Sequence, residues 1–126
     1  MKKTNFIISG KRGELNNKLW VDGKELDPQR SQKIRNHSPD GFNWGYGGSG
    51  PAQAALAICL EIFPETWMAE ALYQSFKFAF VSRWQQDQFQ EEIDITDFLI
   101  DHRHLYQRAE EFRKDSYQQF NQGDFH

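Results

Sequence analysis

The chain has 126 residues and a mass of 14.9 kDa, which suits one domain with one hydrophobic core. This length excludes most multi-domain enzymes. Apolar residues make up only 38% of the chain, but aromatic residues make up 15%, and large rings supply enough buried surface for a stable core. The net charge of -3 argues against a protein whose whole surface binds nucleic acid, although a local basic patch stays open.

Cysteine content and hydropathy predict a cytoplasmic protein. Cys59 is the single cysteine of the sequence, so no disulfide forms within the chain and no thiolate cluster holds a metal. No apolar run approaches the roughly 20 residues of a membrane span, and the apolar stretch after Met1 is too short for a signal peptide. We therefore expect no membrane association, no metal and no other cofactor.

The first part of the chain predicts three β-strands. Residues 5–9 and 18–22 combine β-branched and aromatic residues between turn formers, and we expect them to pair as a hairpin. Asp22-Gly23 predicts a tight turn into a third strand at residues 24–26. Nine Lys or Arg against four Asp or Glu make residues 1–35 basic, which we interpret as solvated surface.

A turn and a buried helix follow. Pro and Gly in residues 38–41 favour a reverse turn. Pro51 suits the first position of a helix, because the N–H that it lacks would have had no partner there. We predict this helix from Pro51 to about Phe63, apolar nearly all round, with one narrow exposed stripe at Gln53, Ala57 and Glu61.

A second helix is predicted from Glu65 to about Gln85. Large apolar residues recur every fourth position along one face and indicate core packing: Met68, Leu72, Phe76, Phe80 and Trp84. The alternation within residues 77–81 leaves a strand open as an alternative.

The last third of the chain predicts a polar linker at residues 86–92 and then a third helix. This helix begins near Asp97 with Thr96 as its cap, and its predicted inward residues are Phe98, Leu105, Ala109 and Phe112. We expect an α+β fold in which a small N-terminal antiparallel sheet packs on two or three helices. The central helix is buried and follows a Gly-rich loop. Residues 1–101 form the domain, and residues 102–126 form a polar helical extension.

The Gly-rich loop at residues 45–50 is the segment with the strongest functional signal, since four glycines within six residues let a main chain approach a ligand closely. Its spacing fits the dinucleotide fingerprint, but a turn precedes it and another helix follows. No Gly-Lys-Ser/Thr closes a phosphate loop, and Pro51 stands where a nucleophile elbow around Ser49 needs glycine. None of these motifs is therefore assigned.

Two interpretations of the loop stay open. In the first, free amides of Ser49, Gly50, Ala52 and Gln53 gather at a helix N-terminus and hold an anion or a partner's carbonyl. In the second, the glycines let the loop fold tightly against the helix, with Trp44 and Tyr46 as anchors and Ser49 as the cap.

Histidines and acidic residues give weaker signals. His37 and Asp40 are three residues apart and could pair as an oriented base, but a surface turn in which Asp40 accepts from its own backbone is the favoured explanation. His102 and His104 lie about 200° apart around a helix, so they cannot share one metal. The acidic residues between 91 and 97 lack the spacing and glycine of a calcium loop.

The run Asn36 to Gln53, which reads NHSPDGFNWGYGGSGPAQ and leads into an Ala/Leu-rich helix, resembles a family of short uncharacterised proteins. These proteins occur in phages, plasmids, bacteria and archaea, and the likeness extends from the first strand to about residue 101. The resemblance implies a prokaryotic or viral cytosolic protein with this run as the family hallmark. It implies no reaction, and the tail beyond about Asp101 departs from it.

The sequence favours a non-enzymatic binding module that presents the Gly-rich loop to a macromolecular partner, most simply a protein. No nucleophile is matched to a base, so no catalytic residue is assigned. The candidate partner-binding residues are His37, Asp40, Trp44, Tyr46, Gly47, Gly48, Ser49, Gly50 and Gln53.

The alternative function is a protein that binds a nucleotide or another phosphate ligand, as an enzyme or as a viral sequestering factor. It would use the loop amides, with His37 and Asp40 in support. It predicts a concave pocket with convergent polar groups, whereas the binding module predicts an exposed aromatic patch or a homodimer face.

Overall fold

The computed structural model describes residues 3–123, and the side chains of residues 3–112 and of Lys114. In this range the chain is an α+β protein with four strands and five α-helices. The strands are β1 (Asn5–Lys11), β2 (Lys18–Val21), β3 (Lys24–Glu25) and β4 (Gln88–Asp94), and the helices are α1 (Pro28–Ile34), α2 (Ser49–Ile62), α3 (Thr66–Ala79), α4 (Thr96–Asp101) and α5 (Arg103–Gly123). The predicted fold class is confirmed.

The strands form one antiparallel sheet in the order β3-β2-β1-β4. The predicted β1–β2 hairpin is confirmed, with Ser9 opposite Trp20 and Lys11 opposite Lys18. β4 lies where a polar linker was predicted, so that prediction is wrong. Only Phe89 and Ile93 of β4 are buried, because an edge strand needs few apolar residues. The alternation of apolar and polar residues by which a strand is recognised in a sequence is therefore weak here.

The helices cover one face of the sheet. Phe6, Ile8 and Gly10 of β1 are buried, while the residues between them point to the other side. We call that other side the open face; on β1 it carries Asn5, Ile7, Ser9 and Lys11, and Ile7 is 45% exposed. No helix within the described residues is long and apolar enough to span a bilayer.

The turn between β2 and β3 is the tight turn that the sequence predicts. Asp22 and Gly23 have φ values of 51° and 81°, the left-handed region that this hairpin turn requires at both central positions. The Asp22 carboxylate accepts a hydrogen bond of 2.8 Å from the Ile7 N–H and forms an ion pair with Lys3. These two interactions, the hydrogen bond foremost, lower the pKa of Asp22 below its ordinary value.

We expect Asp22→Asn to lower the free energy of unfolding by about 1 kcal/mol at pH 7. A carboxyl with a lowered pKa in the folded state stabilises the fold above its unfolded pKa, and this stabilisation is lost as the pH falls through the folded value. The difference in stability between variant and wild type should therefore begin to narrow below about pH 4 and close once the pH is below the folded pKa of Asp22. Urea unfolding at pH 7 and below about pH 4 measures the difference in unfolding free energy, and Asp87→Asn, at an exposed position, is the control. If the variant remains less stable than the wild type in acid, the charge of Asp22 is not the cause of the difference.

α1 is a helix that the sequence analysis overlooked. Asp27 accepts a hydrogen bond of 2.9 Å from the Gln29 N–H, and Pro28 occupies the first helical position. An Asp-Pro pair is a strong signal for a helix start. The helix is short, however, and Ser31 is its only buried residue. It therefore has no apolar residues at helical spacing that would predict it from the sequence.

α2 is the buried central helix that was predicted, but its exposed stripe was not found. Gln53 is fully buried and Ala57 is 7% exposed, so the prediction of an exposed stripe is wrong at both positions. Glu61 alone of the three reaches the surface, where its carboxylate accepts hydrogen bonds from Lys24 and Arg30. The helix is enclosed because α1, α3 and the sheet pack around it.

α3 is shorter than predicted, because it ends at Ala79 and a 3-10 helix follows at Val81–Arg83. The strand alternative for residues 77–81 is therefore wrong. Leu72 and Phe76 are buried as expected, and Trp84, which lies beyond the helix, stacks on Phe89 of β4 with 4.3 Å between ring centroids.

The predicted third helix is divided into α4 and α5 at His102. Thr96 is the first residue of α4 and Ile95 is its N-cap, so the prediction of Thr96 as the cap is wrong; the Thr96 N–H donates a hydrogen bond of 2.9 Å to the Asp94 carboxylate. Phe98 is buried and Leu105 packs against the core, whereas Phe112 is 74% exposed, so its predicted inward position is wrong. The end of the predicted extension, residues 124–126, lies outside the described residues.

Candidate functional site

The loop before α2 is fixed by a turn at its start. The Gly41 N–H donates a hydrogen bond of 3.2 Å to the Ser38 carbonyl, and Gly41 has a φ of 106°, so the predicted turn is confirmed. Asp40 lies exposed in the turn and forms no hydrogen bond or ion pair with a described residue.

Gln53 holds this loop from inside the protein. Its Oε1 accepts hydrogen bonds from the N–H groups of His37 at 2.7 Å and Ser38 at 3.0 Å. Its Nε2 donates to the Ser31 hydroxyl at 2.8 Å and to the Arg35 carbonyl at 3.1 Å. These four bonds use the hydrogen-bonding capacity of the amide. Gln53 therefore joins α1, the loop and α2, and its side chain is not available to a partner.

Trp44 anchors the loop to the core. The side chain is fully buried, its Nε1 donates a hydrogen bond of 2.9 Å to the Gln85 carbonyl, and its ring meets the Phe89 ring edge-on at 5.1 Å between centroids. The expectation that Trp44 is displayed on the surface is therefore wrong. An indole buries its large apolar body when its single N–H finds an acceptor, as it does here.

Tyr46 is the exposed aromatic residue of the loop, with 43% of its surface accessible. Its hydroxyl accepts a hydrogen bond of 3.2 Å from Asn43 Nδ2. The backbone passes close beneath it: a Cβ at Gly48 would lie 2.5 Å from the Tyr46 ring, and one at Gly50 would lie 2.5 Å from the Asn43 Cβ. The glycines at 48 and 50 thus permit tight folding, while Gly47 and Ser49 face solvent.

The connection between β1 and β2 packs against this loop. Asn17 Nδ2 donates a hydrogen bond of 2.9 Å to the Phe42 carbonyl, and Arg12 Nη2 donates one of 2.8 Å to Asn43 Oδ1. Arg12 also donates to the Gln86 carbonyl, and its guanidinium carbon lies 5.6 Å from the centre of the Trp44 ring. The Arg12 side chain therefore links the β1–β2 connection to the loop before α2.

Between these segments lies a cleft of about 560 Å³, at the N-terminal end of α2. We call it the α2 cleft. Its lining combines residues of the β1–β2 connection with residues of the Gly-rich loop and the turn before it, and includes Leu15, Asn17, Asp40, Asn43, Tyr46 and Ser49. Leu15 is 93% exposed.

The helix start at the cleft offers two amide donors. The N-cap residue of α2 is Gly48, which has no side chain to accept from the first turn, and Pro51 has no N–H. The Ser49 and Gly50 amides have no acceptor among the described residues, whereas the Ala52 N–H donates to the Gly48 carbonyl at 3.0 Å. The expectation of a free amide at Ala52 is therefore wrong, and Ser49 lies in the helix instead of capping it.

His37 has a partner other than the predicted one. Its Nε2 lies 2.7 Å from the hydroxyl of Tyr73 on α3, and it forms no hydrogen bond with Asp40. Burial lowers the pKa of His37, and the positive charges of Arg35 and Lys77 lower it further, which favours a neutral imidazole at pH 7. His37 and Asp40 therefore do not form an oriented base.

A family model described as a family of unknown function (DUF6166) matches residues 8–101. The chain belongs to this family. No curated protein and no solved structure matches the chain. Every residue that lines the α2 cleft lies within the matched region, which ends where α4 ends.

Sequence reasoning missed six residues that line the cleft: Leu15, Asn17, Ser38, Gly41, Phe42 and Asn43. Leu15 carried a signal, because it is a single large apolar residue in an otherwise polar connection between two predicted strands. Asn17 and Asn43 carried none, since asparagine is common in turns and its tertiary hydrogen bonds cannot be predicted from local sequence. Within the described residues, no group of three or more His, Cys, Asp or Glu residues could hold a metal ion.

Proposed function

We propose that this protein is a recognition module that binds an exposed segment of a partner protein in the α2 cleft. The observation that carries the proposal is the pair of exposed side chains, Leu15 and Tyr46, that line the cleft beside the polar side chains of Asn17, Asp40, Asn43 and Ser49. We further propose that the segment from Asn36 to Gln53 forms the same wall in other members of the family, including those of phages and plasmids.

The apolar side chains supply the driving force for binding. Leu15 is 93% exposed and Tyr46 is 43% exposed, and both line the cleft. Burying a leucine side chain that water now surrounds is worth about 1.5–3 kcal/mol. A partner segment that covers both side chains gains this energy without disturbing the core, because Gln53 and Trp44 already hold the loop.

The polar groups of the cleft suit a polypeptide better than a phosphate. Ser49 and Gly50 offer amide donors, and Asp40 offers a carboxylate that accepts hydrogen bonds. A peptide has both carbonyl acceptors and N–H donors, so it can use both kinds of group. A phosphate would meet the Asp40 charge, and no Lys or Arg lines this cleft in the part of the chain that the structure describes.

Selection of random peptides against the immobilised wild-type protein tests the proposal. We expect enriched peptides to bind saturably, to shift the amide resonances of Ser49 and Gly50, and to lose about 10-fold or more in affinity in both Leu15→Ser and Tyr46→Ala. Isothermal titration with one synthetic peptide gives the affinities.

The matched control is Ile100→Ser, which removes another exposed apolar side chain at a distance, on α4; it should leave the affinity unchanged. Peptides that bind Leu15→Ser and Tyr46→Ala as tightly as the wild type would overturn the proposal. Inorganic phosphate that shifts the Ser49 and Gly50 amides at millimolar concentration, in the absence of peptide binding, would favour the phosphate alternative instead.

A further inference from the structure

The open face of the sheet has a basic end. Lys11 of β1 lies directly opposite Lys18 of β2, and like charges at directly opposed positions destabilise a sheet. Lys18 lies 3.9 Å from Glu25, with both side chains more than half exposed, so this ion pair contributes little. Lys11 forms no ion pair with a described residue. Two ammonium groups therefore face one carboxylate, and an anionic ligand would relieve their repulsion.

An aromatic side chain lies beside these lysines. Trp20 is paired with Ser9 in the β1–β2 register, so it lies on the open face one pair along from Lys11 and Lys18. It is partly exposed and lines a groove of about 350 Å³ together with Lys11, Ser9 and residues of β4. Trp20 thus offers a flat π surface between Lys11, which lines the groove, and Glu25, which is opposite Trp20 in the β2–β3 register and forms the ion pair with Lys18.

The edge strand β4 completes the groove with amide side chains. Gln88 pairs with Lys11 and Gln90 pairs with Ser9, so both glutamines lie on the open face. Both are exposed and line the groove, and their side chains form no hydrogen bond with a described residue. Primary amides that both donate and accept hydrogen bonds are suited to the edges of nucleic acid bases.

From this arrangement we propose that the basic end of the open face binds single-stranded nucleic acid. Trp20 stacks on a base, Lys11 and Lys18 contact successive phosphates, and the two glutamines contact base edges. An aromatic platform in a positive groove is how proteins bind single strands with little sequence preference. A duplex is excluded, because its bases are stacked on one another and offer no free face to Trp20. This site lies on the sheet and does not depend on the α2 cleft.

Fluorescence anisotropy with a labelled oligothymidylate of about 12 nucleotides tests the proposal. We expect saturable binding at low salt that weakens as salt is added, because the lysines release counterions on contact with phosphates. In the double variant Lys11→Gln/Lys18→Gln, the slope of log affinity against log salt concentration should become shallower by about 1.4, which corresponds to two lost phosphate contacts on a single strand. The control Lys33→Gln changes an exposed lysine on α1 and should leave the slope unchanged.

The stacking contact is tested at Trp20. We expect Trp20→Ala to weaken binding about 5- to 150-fold and Trp20→Phe to retain most of the affinity, since a smaller ring still stacks. Circular dichroism confirms that each variant is folded. Tyr46→Ala should bind the oligonucleotide like the wild type, which separates this site from the α2 cleft.

Three results would overturn the proposal: no anisotropy change at about 100 µM protein and low salt, a hairpin duplex that binds as tightly as the single strand, or full affinity in both Trp20→Ala and the double lysine variant. Loss of peptide binding in the cleft has no bearing on these measurements.

Discussion

Gln53→Leu is expected to lower the free energy of unfolding by about 3–5 kcal/mol. Leucine has nearly the same size, so the change removes hydrogen bonds and leaves packing largely intact. The His37 and Ser38 N–H groups and the Arg35 carbonyl then lose this partner, and the Ser31 hydroxyl keeps only its bond to the Pro28 carbonyl. Buried polar groups without partners cost about 1–3 kcal/mol each, and water at the loop recovers a part of this.

Urea unfolding followed by circular dichroism measures the effect of Gln53→Leu. The matched control is Gln85→Leu, because the Gln85 side chain is exposed and forms no hydrogen bond with a described residue; the stability of this variant should change by less than about 0.5 kcal/mol. A loss below about 1 kcal/mol in Gln53→Leu would show that the loop does not depend on this amide.

Trp44→Ala and Tyr46→Ala are expected to separate stability from binding. Trp44→Ala removes a fully buried indole and should cost about 3–5 kcal/mol, because it leaves a cavity against Phe89 and frees the Gln85 carbonyl. Tyr46→Ala should cost only about 1 kcal/mol, since its ring is 43% exposed. Tyr46→Ala should nevertheless lose peptide binding.

Thermal and urea unfolding of both variants, with peptide titration of each folded one, decides between these roles. If Tyr46→Ala proves as unstable as Trp44→Ala, Tyr46 is an anchor of the loop and the α2 cleft loses its exposed aromatic residue. If both variants are as stable as the wild type, the buried Trp44 side chain contributes less to the free energy of unfolding than its contacts imply.

The parts of the fold that local sequence could predict are those fixed by local chemistry. Asp22-Gly23 predicted a tight turn because few residues tolerate positive φ at both central positions, and both adopt it. The apolar run after Pro51 predicted a buried helix because it is apolar nearly all round. In each case the neighbouring residues alone determine the structure.

The sequence-based predictions were wrong at positions whose structure depends on contacts with residues far away in the chain. Residues 88–94 form a strand because β1 offers an edge to pair with, and their own sequence has little strand character. Gln53 has the polarity of a surface residue but is buried, because the turn and α1 present four groups that match its amide. Trp44 and Tyr46 are alike in the sequence, and Trp44 is buried because distant residues, the Gln85 carbonyl and the Phe89 ring, receive its indole.

The pairing of β1 with β4 constrains how the chain can be made. Asn5 lies opposite Asp94, so one side of β1 has no partner until residues 88–94 have been translated. Contacts between residues so far apart slow folding, and an unpaired apolar strand is prone to aggregate. A nascent chain that ends before Gln88 would therefore have a sheet with Phe6 and Ile8 next to an unpaired edge.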